Sequence, residues 1–280
     1  MKRKLQFIAE WGSLLLSTAA VCCFLVVILW DIIGKGLPVL SWEFLSSLPT
    51  DGMTKGGILP AIVGTVSVTL ITAISATPFG VCCAIYLNEY AQDNWLTRSI
   101  RASIRNLAGV PSIIYGLFGL AIFVQALQLG TSLLAAGLTL GLLSLPYIIT
   151  TTEEALRRVP ASTREAALAV GATQLESIRD MVLPSAISGI LTGVVLALSR
   201  AAGETAPILF TGVAFYINNP SGALNQEFMA LPYHLYMLST QHQAIAEVRP
   251  LAYGTALTLI IVVFLLNFTA FYIRYKHRSK

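Results

Sequence analysis

Arg200 is the only basic residue inside an apolar run of this chain, and Glu204 follows it by four residues. On a helix that spacing puts the two side chains on one face, one turn apart. An arginine stays charged and presents a planar fork of donors that matches an oxyanion. In that reading Arg200 attracts an anion in transit and Glu204 holds the guanidinium when the path is empty. The plainer reading is a self-neutralising pair that only holds the bundle together. Ser112 and Tyr115 offer hydroxyl donors to the same anion, or else bond to backbone in ordinary helix packing. His234 and His242 stand eight apart with no third ligand nearby, so no metal is expected there. No catalytic residue is assigned. A hydrolase would need a nucleophile and a base converging within the apolar runs, and those runs contain no histidine.

The elements that hold these residues are written in the composition. The chain has 280 residues, 55% hydrophobic and 11% charged, with a net charge of +4. A soluble domain carries about 25% charged residues. Disordered chains, nucleic-acid-binding domains and ordinary cytosolic enzymes are excluded. Uncharged runs are long enough for about six crossings of ~30 Å of hydrocarbon, near 11–30, 58–87, 107–128, 132–152, 184–204 and 251–273. Their continuous apolarity excludes the alternating strands of a membrane β-barrel. The expected fold is an all-α, polytopic helical bundle. Fourteen of the 18 lysines and arginines fall in segments that are cytoplasmic if the N-terminus is, which predicts both termini inside.

The N-terminal run is too long for a cleaved signal, whose apolar core is about 7–15 residues, and is read as an uncleaved first span. Residues 1–56 form this span and an outer connector; residues 57–280 form the main domain. Cys22-Cys23 and Cys82-Cys83 are read as small packing residues, since neighbours on a helix cannot be bridged without distortion. Arg200 falls about 24 Å along its helix from Pro184, in the outer half of the membrane. Beyond it, Pro207–Ile217 is expected to extend the fifth span or lie on the surface. A turn follows at Asn218–Gly222, and then a short helix near Phe228–Ser239. Tyr233 and Tyr236 read as interfacial aromatics.

The loop 153–184 between spans four and five is the most informative segment. Pro160 breaks the preceding helix, and Ser162 with Glu165 has the spacing of a capping box. Gly171 can end that helix in the left-handed region. Thr173 with Glu176 is a second capping box, which starts the next helix. The expected shape is helix, glycine turn, helix: a compact cytosolic knob.

Glu165-Ala166-Ala167, then Gly171, then Met181-Val182-Leu183-Pro184 resembles the EAA motif of permease subunits of ABC-type importers. Met181 occupies a position that is isoleucine in the motif. The resemblance implies a type I ABC importer (MetI-like) fold, and a coupling helix in which Glu165, Ala166, Ala167 and Gly171 dock on an ATP-hydrolysing subunit. The chain itself has no phosphate-cradling G-x-x-x-x-G-K-[ST] loop, so it is expected to be non-catalytic.

Asn106–Gly119 and Ser199–Pro207 resemble the permeases of bacterial phosphate importers, the second stretch more the PstA-type than the PstC-type subunit. With the EAA loop the resemblance covers roughly residues 57–275. It implies one half of a heterodimeric pathway for inorganic phosphate in the bacterial cytoplasmic membrane. Implied partners are a PstC-type permease, two copies of a PstB-type ATP-binding subunit and a PstS-type phosphate-binding protein, with membrane lipid around the bundle. No cofactor and no nucleic acid are implied. The alternative is an anion transporter driven by an ion gradient, which would call for several intramembrane carboxylates, whereas Glu204 is nearly alone.

Overall fold

The computed structural model describes residues 2–217 and 223–278; the turn expected at 218–222 lies outside them. Helix α1 (Lys2–Gly36) leads through a short turn to α2 (Trp42–Ser46). A two-residue hairpin follows, β1 (Pro49–Thr50) paired with β2 (Lys55–Gly56). Then come α3 (Leu59–Ile85, prolonged by a wider turn to Tyr90), α4 (Trp95–Ala108) and α5 (Ser112–Gly119, prolonged to Ala126). Helices α6 (Leu133–Arg157), α7 (Ala161–Ala169), α8 (Gln174–Ser177) and α9 (Leu183–Ala202) carry the chain into and out of the knob. Helices α10 (Ala206–Leu209), α11 (Leu231–Thr240) and α12 (Ile245–Arg278) complete it.

Among the described residues five helices are long and apolar enough to cross a membrane, and a sixth crossing exists if the bent pair α4–α5 counts as one. The expected span at 107–128 is therefore not one straight helix. Its apolar part is Ser112–Ala126, which as an α-helix would rise only about 22 Å. The chain turns by 102° between it and the amphipathic α4, where Gly109 ends α4 and Pro111 precedes α5.

The core is a sandwich of parallel α3 and α6 with antiparallel α9. Contact between helices in lipid depends on close approach rather than on expulsion of water. Gly189 and Gly193 supply it on α9: a Cβ on Gly193 would stand within van der Waals overlap of Thr151, and one on Gly189 would lie 2.7 Å from Ala155. Ser199 of α9 donates to Asn267 of α12 at 2.8 Å, an interhelical bond of about 0.6 kcal/mol.

At the end where α3 and α6 begin, the connector end, Phe44, Met53 and Ile58 pack with Met229, Leu231 and Val248. The first amides of α6, which no intrahelical carbonyl can take, are satisfied from outside. Leu133 donates to Gln226, Leu134 to Leu224 and Ala135 to the Ser132 hydroxyl. The other end carries Arg98, Arg101, Arg157 and Arg164 and is called the basic end below. Helix α1 is exposed along residues 11–30 and meets α12 through Asp31, Lys35 and Gly36. Cys22, Cys23 and Cys82 are exposed, so these three are surface residues rather than the packing residues expected. The short helix expected at 228–239 is α11, beginning three residues later.

Candidate functional site

Arg200 lies level with the middle of α6. Its guanidinium Nη1 donates to the Tyr147 hydroxyl at 2.5 Å, and its Cζ sits 4.5 Å from the Tyr147 ring centroid. Tyr147 is close to the midpoint of α6. Helix α9 stops two residues beyond Arg200, at Ala202, with Gly203 as its C-cap. The following segment does not extend the helix, and only part of it, Leu209, Phe215 and Tyr216, is exposed. It rises inside the protein as α10 and an irregular stretch, with Pro207, Ile208 and Thr211 buried. Non-helical backbone at this depth is tolerated only when buried in protein or lining a water-filled path. Here its polar groups are used: Thr211 accepts from Ser132, and Gly212 and Ala214 bond Phe228.

A second break faces the first. The corner between α4 and α5 lies at the level of Tyr147, whose hydroxyl donates to the Ala108 carbonyl at 2.9 Å. The Tyr115 hydroxyl donates to the Leu107 carbonyl at 3.0 Å, and its ring is buried. Ser112 opens α5 at this corner and is partly exposed. Glu204 Oε1 lies 3.4 Å from Arg200 Nε, and the two side chains are 17% and 51% exposed. A residue the sequence reading missed, Tyr147, thus ties Arg200, which Glu204 neighbours, to the corner on which Ser112 and Tyr115 stand. A tyrosine within an apolar run looks like any packing residue; only the fold shows it under a guanidinium.

The basic end is built more tightly. Arg164 of α7 grips Glu89 bidentately, Nε at 2.9 Å and Nη2 at 2.7 Å, and also donates to the carbonyls of Val159 and Leu156. Glu89 is 6% exposed and Arg164 24%. Gln174 donates to the Glu89 carbonyl at 2.6 Å. The carboxylate beside it holds the Arg164 guanidinium above its ordinary pKa. Glu153 accepts from both Arg101 and Arg157, at 2.7 and 2.8 Å. The pairing of Glu89 with Arg164 bridges 75 residues, beyond the reach of any local spacing rule.

In the knob itself, Gly171 has φ +88° and its amide bonds the Leu168 carbonyl, ending α7 as expected. Thr173 and Glu176 form a complete capping box. The first capping box does not form. Helix α7 already begins at Ala161, with Pro160 in the capping position and no side-chain cap, because proline's fixed φ suits a helix entry and needs no donor. Glu165 and Ala166 are exposed, Ala167 is buried, and Leu168, Val170 and Leu175 present apolar side chains outward.

His234 and His242 do separate jobs. His242 Nε2 bonds the Gly52 carbonyl at 2.8 Å and ties the connector down. His234 is buried, which with the nearby His242 pushes its pKa down to about 4, so it is neutral near pH 7.

The molecule thus combines a broken helix, a half-exposed cation at mid-bundle and a two-helix knob at the basic end. Residues 76–277 match the family described as binding-protein-dependent transport system inner membrane component. The chain belongs to that family. It is a multi-pass membrane permease of an ABC importer, and the family implies an ATPase partner and a solute-binding partner. Among relatives, a probable ABC transporter permease protein, YqgI, of Bacillus subtilis is 32% identical over 96% of this chain and 95% of its own length. A phosphate transport system permease protein, PstA 2, of Mycobacterium bovis is 37% identical over 94% and 87%. The PstA of Yersinia pestis is 35% identical over 88% and 82%. The resemblance read from the sequence is therefore upheld.

Solved structures extend the match in fold. The MetNI methionine ABC transporter in an inward-facing conformation matches with TM-score 0.64 at 19% identity, over 79% of this permease and 95% of that chain. A bacterial ABC transporter involved in import of the acidic polysaccharide alginate matches with TM-score 0.65 at 11% identity, over 98% and 99%.

Proposed function

We propose that this permease forms one half of an ATP-driven pathway for inorganic phosphate, with Arg200 as the group that meets the anion. The observation that carries the reading is the half-exposed guanidinium at mid-bundle. It is held by a tyrosine ring and hydroxyl and by one long contact to Glu204. A permanent cation that is only loosely neutralised can exchange its carboxylate for a phosphate oxygen at small cost. Two features of the corner add to it. The N-terminus of α5 favours negative charge, and Ser112 stands at its first residue. Tyr115 acts through its bond to Leu107, which fixes the corner.

In this reading the basic end faces the cytoplasm, which the distribution of lysines and arginines favours, and both termini lie there. The exposed Glu165, Ala166, Leu168 and Val170, with the turn at Gly171, dock on a PstB-type ATPase. A PstC-type permease supplies the other half of the pathway, and a PstS-type protein delivers phosphate at the connector end. Nucleotide-driven closure of the ATPases moves the knob; α9 is continuous with α8 through Ile178–Val182, so that motion reaches Arg200 along one helix.

The test is reconstitution. The complex purified with its companion chains and placed in liposomes should accumulate labelled phosphate when ATP and the binding protein are supplied. Sulfate at equal concentration should not compete. Uptake of sulfate in place of phosphate, or uptake without ATP, would overturn the assignment.

A further inference from the structure

We propose that the crevice between α1, α11 and α12 at the connector end binds one anionic phospholipid, an acyl chain inside the crevice and its phosphate on Arg249. The crevice has a volume of about 680 Å³ and is walled by Ile32, Leu235, Ile245 and Ala256. A volume of that size suits a ligand as large as a drug molecule. It is placed where the bilayer surface should lie. Trp30 and Trp42 are among the most exposed large side chains of the protein, and Tyr236 is also exposed on the neighbouring helix. Tryptophan and tyrosine concentrate at the boundary between hydrocarbon and water.

The charge at the rim selects the headgroup. Asp31 is satisfied by Lys35 at 2.6 Å and by the Tyr253 hydroxyl at 3.0 Å, and the Lys35 ammonium lies over the Tyr253 ring. Arg249 also lines the crevice and is exposed. Among the described residues it forms no hydrogen bond or ion pair, and only its longer-range field reaches Asp31. Glu247, two positions earlier, points about 200° away around the helix. The rim therefore carries one uncommitted cation above an apolar cleft, the complement of an anionic phospholipid. A free anion would gain nothing from the apolar walls, whereas a lipid tail fills them with the packing contacts that drive association in hydrocarbon. A cation near a bilayer surface favours anionic lipid by about fivefold.

The experiment uses the permease purified with its partner subunits and exchanged into phosphatidylcholine nanodiscs containing a minor share of phosphatidylglycerol. Retained lipid is counted by native mass spectrometry. The wild-type complex should hold one extra phosphatidylglycerol. Arg249→Gln should lose the roughly fivefold preference. Ala256→Trp, which fills the crevice and leaves the charge, should lose the lipid itself. Lys55→Gln, at a cation paired with Asp51, should change nothing, and millimolar inorganic phosphate should leave the lipid in place. Wild-type retention by Arg249→Gln, displacement by inorganic phosphate, or a photocrosslinker at Ser239→Cys that captures a polypeptide instead of lipid would each overturn the proposal.

Discussion

Two arginine–glutamate pairs in this permease are built to opposite specifications. At the basic end Glu89 is nearly sealed off, and Arg164 meets it with two short bonds while its remaining donors go to backbone carbonyls. At mid-bundle Arg200 is half exposed, its contact to Glu204 is single and long, and its firmest partner is a neutral phenol. A sealed, fully bonded pair resists change because separating it strands a buried charge. A loose pair over an aromatic ring keeps the cation in place and leaves it available. The first suits an element that must transmit motion without slack, and the second suits one that must trade partners on every cycle.

Breaking the tight pair should do the most damage. Arg164→Ala leaves Glu89 buried and unpaired, a loss of about 3–5 kcal/mol. The variant should show a clearly lowered melting temperature and poor co-purification of the ATPase. Exchanging the two residues, Glu89→Arg with Arg164→Glu, should recover part of both. A melting curve like that of the wild type for Arg164→Ala would show that the knob is held by other means.

The loose pair should respond through transport and not through folding. Tyr147→Phe keeps the ring beneath Arg200 and removes both hydrogen bonds of the hydroxyl, the one from Arg200 and the one to Ala108, each worth about 1 kcal/mol. Apparent phosphate affinity should weaken about fivefold, with the melting temperature of the complex nearly unchanged. A large loss of stability instead would make Tyr147 a strut between α6 and the α4–α5 corner, through its bond to Ala108.

The smallest contrast lies within the knob. Thr173→Ala removes a working cap and should destabilise the local helix by about 1 kcal/mol, measurable as faster amide exchange over 174–180. Ser162→Ala removes a residue that caps nothing and should be silent. Equal effects would mean that α7 starts later than described.

These contrasts also mark what the chain discloses before it folds. Apolar run lengths, the polar knob with its Gly171 turn, and the Arg200–Glu204 spacing are local properties, and each was legible. The course of the chain beyond α9 was not. An uncharged run measures only how much chain hydrocarbon can accept, and is blind to an irregular segment whose backbone groups Ser132 and Phe228 satisfy. The same blindness merged the α4–α5 corner into one straight span. Ser162 was misread for a local reason: with Pro160 in the capping position the helix starts two residues too early for a serine cap. Glu89 and Tyr147 each sit beside their arginine only once α3 meets α7 and α6 meets α9.

The most direct test of the account separates transport from assembly at Arg200. In liposomes containing the complete complex, Arg200→Ala should lower phosphate uptake by about 10- to 100-fold, as expected for losing a hydrogen-bonded charge worth about 1.5–3 kcal/mol. The ATPase should remain bound at wild-type level. Full uptake by the Arg200→Ala complex would contradict the claim that this guanidinium meets the anion.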